Sequence, residues 1–202
     1  MFLILGVLTS VPYYYNPKIH SLGNVGFGGK IHALSAPFAR RIIDHISYKG
    51  VDIRKDIMSD YKDNTVLDLC CGIGDSTPKS GTGIDTSKEM INVANFVNRD
   101  SNFIVANAET YKPDIPFDIV SCMFAFHEMP LSAQCRVIEN AMKIAKEEII
   151  IVDIASNYKP KTIMLDGEPY LLKYLDSIDN TLSCFDKINY IDNHVAIWKY
   201  KI

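Results

Sequence analysis

A doubly wound α/β fold, in which a mostly parallel seven-stranded sheet closes with an antiparallel hairpin, is what this sequence predicts. Three observations carry the expectation. Short apolar runs alternate with helical periodicity from Thr65 onward, and the first run breaks into a glycine turn, TVLDLCCGIGD. The last two runs are separated only by Asp192 and Asn193. Parallel neighbours need long crossovers, whereas a two-residue link suits an antiparallel pair.

The elements follow in order. Residues 1 to about 35, including VPYYYNPKIHSLGNVGFGGKIH, hold no sustained period and read as an N-terminal arm or lid. Pro37 opens a helix, PFARRIIDHISY, with an apolar face of Phe38, Ile42, Ile43 and Ile46. A short helical patch near Ile53 to Tyr61 precedes strand one, Thr65 to Leu69, and strand two, Gly81 to Ile84. A helix from Ser87 to Val97 starts at a Thr86 or Ser87 cap, with Glu89 in its first turn. Asn102 to Val105 and Asp118 to Phe124 are strands three and four. The helix from Leu131 to Ala145 carries Leu131, Cys135, Ile138, Met142 and Ala145 on one stripe. Strand five, Glu148 to Ile154, is almost wholly apolar, as a central parallel strand should be. A helix around Pro169 to Ile178 leads to the hairpin strands, Cys184 to Ile191 and His194 to Tyr200.

With 202 residues and 48% hydrophobic content, one domain with a sizeable core is expected. The net charge is −3 and no basic stripe stands out, which argues against a nucleic-acid partner. The five cysteines (Cys70, Cys71, Cys122, Cys135, Cys184) have neither a disulfide framework nor zinc-ligand spacing. They read as small residues in a reduced, cytoplasmic setting, with no metal. The opening MFLILGVLTSV lacks a basic leading region and is too short to span a bilayer, so stable membrane insertion is not expected.

The chemistry concentrates after strand one. Gly72 and Gly74 allow main-chain amides to approach a ligand, as in nucleotide-cofactor sites. A dinucleotide fingerprint wants a third glycine where Thr77 stands. Asp68, four residues before Gly72, would repel a pyrophosphate but tolerates a cationic amino group. Asp85 ends strand two, where a carboxylate accepts ribose hydroxyls. An acid for an amino-acid head and an acid for a ribose match S-adenosylmethionine (SAM).

These residues also resemble a known family. VLDLCCGIG, GIDTSKEM, VANAET and FDIVSCMFAFHEMP, followed by Arg136 and VIENAMKIAKEEIIIVDI, resemble in order the motifs of class I SAM-dependent methyltransferases. The likeness is to the small ubiquinone/menaquinone-methyltransferase-like type and covers Thr65 to Ile154. It implies a Rossmann-like methyltransferase fold with SAM as cofactor. On the matching motifs it implies cofactor contacts from Asp68, Cys70, Gly72, Gly74, Asp85, Thr86, Met90, Asn107, Ala108 and Phe124. One departure is plain. Only DSTPKSGT joins Gly74 to Gly81, too little and too proline-broken for the family's first crossover helix, so the pocket should be more open there.

For the methyl acceptor, a small and quinone- or lipid-like molecule, His127 after strand four is the candidate general base, with a structural role as its alternative. Phe126, Tyr15 and His20 from the arm, and Tyr158 and Glu168 from a later loop, are candidate acceptor contacts. Two other readings stay open: a non-catalytic SAM-binding or scaffold subunit, and an NAD(P)-dependent oxidoreductase.

Overall fold

The computed structural model describes residues 19–202. The apolar opening segment and the tyrosine run that ends in Tyr15 lie outside the described residues.

β1 (Val66–Leu69), β2 (Thr82–Asp85), β3 (Asn102–Val105), β4 (Phe117–Met123) and β5 (Ala145–Ile154) are mutually parallel. β6 (Asp186–Ile191) and β7 (Val195–Lys201) close the sheet in antiparallel pairing, giving the order β3-β2-β1-β4-β5-β7-β6. β1 pairs with β2 on one side and β4 on the other, so the direction of winding reverses there. A crevice therefore opens at the carboxyl ends of these strands.

Strand alternation divides the core between two faces. Leu67, Leu69, Val120, Cys122, Ile149 and Ile151 pack on one side with α4 (Leu131–Ile144) and α6 (Leu171–Thr181). Val66, Ile119, Ile150 and Val152 pack on the other with Ile53, Ile57 and Met58 of α2 (Ile53–Met58). Each such side chain contributes about 1.5–3 kcal/mol on full burial. α3 (Lys88–Val97) begins at Ser87, whose hydroxyl accepts from the Met90 amide at 3.1 Å. A short helix, α5 (Thr162–Leu165), which the sequence pattern does not predict, lies between β5 and α6.

The N-terminal region departs most from expectation. α1 (Gly26–Ser47) starts well before Pro37, so residues 26–35 of the expected arm are helical and Pro37 sits inside the helix. The expected apolar face is turned outward: Phe38 is 71% and Ile46 76% exposed. α1 instead packs through Ala33 onto Ile73 and Met90, because small residues let the backbones approach closely. Its first amide, at Gly26, donates to Glu89 Oε1 at 3.0 Å, a cap supplied from α3 rather than from its own flank.

As expected, no helix forms between β1 and β2. The hairpin also forms, its turn closed by the His194 amide on the Ile191 carbonyl at 2.9 Å. Among the described residues, no helix is long and apolar enough to cross a membrane.

Candidate active site

The carboxyl ends of β1, β2 and β4 surround a cavity of about 200 Å³. At the strand ends, Cys70 after β1 and Phe124 after β4 adopt left-handed backbone, each with φ near 55°, as does His20 elsewhere on the cavity wall at φ 50°. Such conformations persist only where surrounding structure enforces them. Cys70 and Phe124 both line the cavity. Gly72, at φ 53°, also lines it, and a Cβ added there would meet no protein atom within 4 Å.

Gly74 differs from its sequence-based role. Its φ is 81° and an added Cβ would lie 2.5 Å from the Phe103 ring. It packs beneath the turn and lines the neighbouring cleft rather than this cavity.

The remaining wall on this side comes from β2, β3 and α3. Asp85, Thr86, Met90, Asn107 and Ala108 all line it. Asp85 Oδ1 accepts from the Ser87 amide at 2.8 Å, and Oδ2 takes one amide from the glycine turn. A carboxylate offers about four acceptor directions, so with the Thr86 amide also bonded it still has room to accept from a ribose hydroxyl. Burial raises the Asp85 pKa, against the opposing pull of its amide donors.

Asp68 is corrected. It is fully buried but does not line the cavity. Its Oδ2 accepts from Ser76 at 2.8 Å and Thr77 at 2.7 Å, and its Oδ1 from Ser121 at 3.1 Å. The carboxylate thus ties down the helix-less β1–β2 link. Burial pushes its pKa up to about 6, the three hydroxyls offsetting part of the rise. The acid of the β1–β2 link that does line the cavity is Asp75, whose Oδ2 sits 2.9 Å from Arg40 Nε. Arg54 lines it as well, its guanidinium 4.4 Å above the Phe124 ring. Sequence reasoning missed Arg40, Arg54 and Asp75; only Asp75, directly after the glycine turn, carried a positional signal. A second cleft of about 650 Å³, on the side left open by the missing helix, shares these three residues.

The opposite end of the cavity is ionisable. His20, His32 and Glu128 line it. His20 Nε2 is 2.8 Å from Glu168 Oε1 and 3.4 Å from Glu128 Oε1. Burial lowers the His20 pKa, but the two carboxylates outweigh it and the net shift is upward. Burial raises that of Glu128.

His127 lies directly behind this wall, not on it. Its Nδ1 donates to Asp153 Oδ1 at 2.6 Å and its amide to Oδ2 at 3.2 Å. Burial would lower its pKa, yet Asp153 carries it up to about 9. Its Nε2 points at Glu168 Oε2, 4.0 Å away. The structure therefore brings three expected residues, His20, His127 and Glu168, into one cluster from distant parts of the chain. Two others it does not. Phe126 is wholly buried in the core, and Tyr158 stacks on His194 at 5.0 Å, so neither lines the cavity.

Against known proteins, residues 66–148 match the family model described as methyltransferase domain. A search of curated proteins gives no match. Among solved structures, the magnesium protoporphyrin IX methyltransferase of Synechocystis PCC 6803 with bound SAH is 16% identical, covering 74% of this chain and 79% of that one, with TM-score 0.52. The plantazolicin methyltransferase BamL, in complex with a triazolic desmethylPZN analog and SAH, is 16% identical over 85% of this chain and 95% of its own, with TM-score 0.58. A SAM-dependent methyltransferase from Aquifex aeolicus is 17% identical over 74% and 89%, with TM-score 0.53. These neighbours share the fold: a Rossmann-like methyltransferase sheet with a terminal antiparallel hairpin. Residues 66–148 are thus similar to a methyltransferase domain, set within a Rossmann-like methyltransferase fold.

Proposed function

We propose that this domain transfers the methyl group of SAM to a small-molecule acceptor whose nucleophilic atom bears a proton, such as a hydroxyl or an activated ring carbon of a quinone-like compound. The observation that carries the reading is the polarity of one cavity: ribose- and adenine-compatible residues at one end, a histidine–glutamate cluster at the other.

The residues present fit SAM. Asp85 would take the ribose hydroxyls, and Asn107, Ala108 and Met90 would border the adenine. Gly72 leaves open space beside the turn for a ligand. The amino-acid head calls for one cation and one anion, and the Arg40–Asp75 pair with Arg54 supplies both. Bound there, SAM brings an electrophilic methyl group on a sulfonium. The protein's own share is alignment, exclusion of water and custody of one proton. His20 and Glu128 line the acceptor end and are placed to hold that proton. His127 is a positioning residue that acts on them through Glu168, its ring fixed by Asp153.

Incubation of the full chain with methyl-labelled SAM and a fractionated small-molecule extract tests this. Label in a low-mass product supports the reading. Label confined to protein or RNA overturns the small-molecule acceptor, and failure to bind SAM overturns the cofactor placement.

A further inference from the structure

The rings at the acceptor end have their tautomers set from behind. His32 Nδ1 lies 3.1 Å from the Gly23 carbonyl oxygen, which only accepts, so Nδ1 carries the hydrogen. His32 Nε2 then accepts from His20 Nδ1 at 3.2 Å. That leaves His20 Nε2 facing Glu168 and Glu128. His127 repeats the pattern, with Nδ1 on Asp153 and Nε2 toward Glu168. Stripped of their Nε2 protons, the two rings would aim lone pairs at a space that already holds two carboxylates. Glu168 is only 7% exposed, and its Oε2 has no hydrogen-bond partner among the described residues. So electron-rich a space needs cations: a proton on each ring, or one divalent ion in place of both.

We propose that His20, His127 and Glu128, with Glu168 as fourth donor, form a binding site for a first-row divalent cation such as Zn²⁺ or Mn²⁺. One ligand atom each from His20, His127 and Glu128 lies within 4.8 Å of the others. Ligands about 2.1 Å from a tetrahedral ion stand roughly 3.4 Å apart, so small side-chain rotations close the gap. Asp153 behind His127, and His32 behind His20, hold the rings by their far nitrogens, as metal-bound imidazoles require. Imidazole and carboxylate without thiolate suit this class of ion. His20 and Glu128 also line the cavity, so a free coordination position faces the acceptor and can take its oxygen. The site rests on the reading of the acceptor end and, when an ion is bound, takes over from His20 and Glu128 as proton holders; its existence does not depend on SAM binding.

The cysteine pattern gives no hint of this site. Its donors come from residues 20, 127, 128 and 168, joined only by folding. The His20 amide donates to the Gly167 carbonyl at 2.9 Å and holds the ring over Glu168.

The test is titration of the chelator-treated full chain with Co²⁺, followed by its visible absorption and by calorimetry. One Co²⁺ per chain, displaced by Zn²⁺, is expected. His20→Gln and Glu168→Gln should each weaken it by roughly tenfold or more. His45→Gln, on the exposed side of α1, should bind as the parent does. His20→Gln remains informative if the buried Glu168→Gln fails to fold. No Co²⁺ or Mn²⁺ bound at millimolar concentration, or equal affinity in parent and His20→Gln, overturns the site. SAM calorimetry on the same preparations reports separately on the cofactor.

Discussion

The Gly72 amide donates to Asp85 Oδ2 at 3.0 Å, so the turn after β1 and the acid that ends β2 form one unit. Anything that removes the acid also frees the turn. Asp85→Ala is expected to weaken SAM binding by at least roughly tenfold, since it loses a charged acceptor and the order of the loop together. Calorimetry showing unchanged affinity would remove Asp85 from the cofactor site.

The two glycines of that turn should separate by readout. Gly74→Ala places a methyl group on the Phe103 ring at a positive φ, and a loss of about 2–4 kcal/mol in unfolding free energy is expected. Gly72→Ala carries only the backbone penalty, about 1–2 kcal/mol, but crowds the ligand. Denaturant melts beside SAM calorimetry distinguish them. The same ratio of stability loss to affinity loss in both variants contradicts the assignment.

Asp68 gives stability a pH signature. Its folded pKa, about 6, lies above the ordinary 3.8, so the folded state holds its proton more tightly than the unfolded chain does. The contribution is fully present below pH 4 and is lost as pH rises through 6, by about 3 kcal/mol. Asp68→Asn should flatten this part of the stability curve. A variant whose unfolding free energy tracks the parent's between those pH values rules the origin out.

For the His127–Asp153 pair, asparagine is the informative replacement, because its amide can still donate to Asp153 while the Nε2 side of the ring is lost. His127→Asn is expected to lower turnover by roughly tenfold or more with SAM affinity changed less than threefold. Single-turnover assays with the acceptor found by label transfer check this. Equal rates in both proteins make His127 purely structural.

Much of the frame was legible because periodicity is a local signal. β5 is apolar from Ile149 to Val152 and sits inside the sheet, and the Gly72 turn and Asp85 stand where strand order places them. The failures are all long-range. Nothing in the sequence says that Ser76, Thr77 and Ser121 will claim Asp68, or that Phe103 will fill the space above Gly74. The helical start at Gly26 was hidden because its first turn is rich in glycine and its cap comes from Glu89, distant in sequence. The His20 and Glu168 pairing was equally invisible, although each residue had been singled out alone.

The link that replaces the first crossover helix is fastened by polar side chains. The Asp68 carboxylate holds it from below, and Asn98 Nδ2 and Ser101 Oγ reach its carbonyls at Thr77 and Pro78. Such fastenings trade readily with water, whereas the buried strands beside them do not. Deuterium should therefore enter residues 75–80 through brief local openings while β1 keeps its protons. One rim of the cavity can thus breathe on a timescale of its own, without the sheet coming apart.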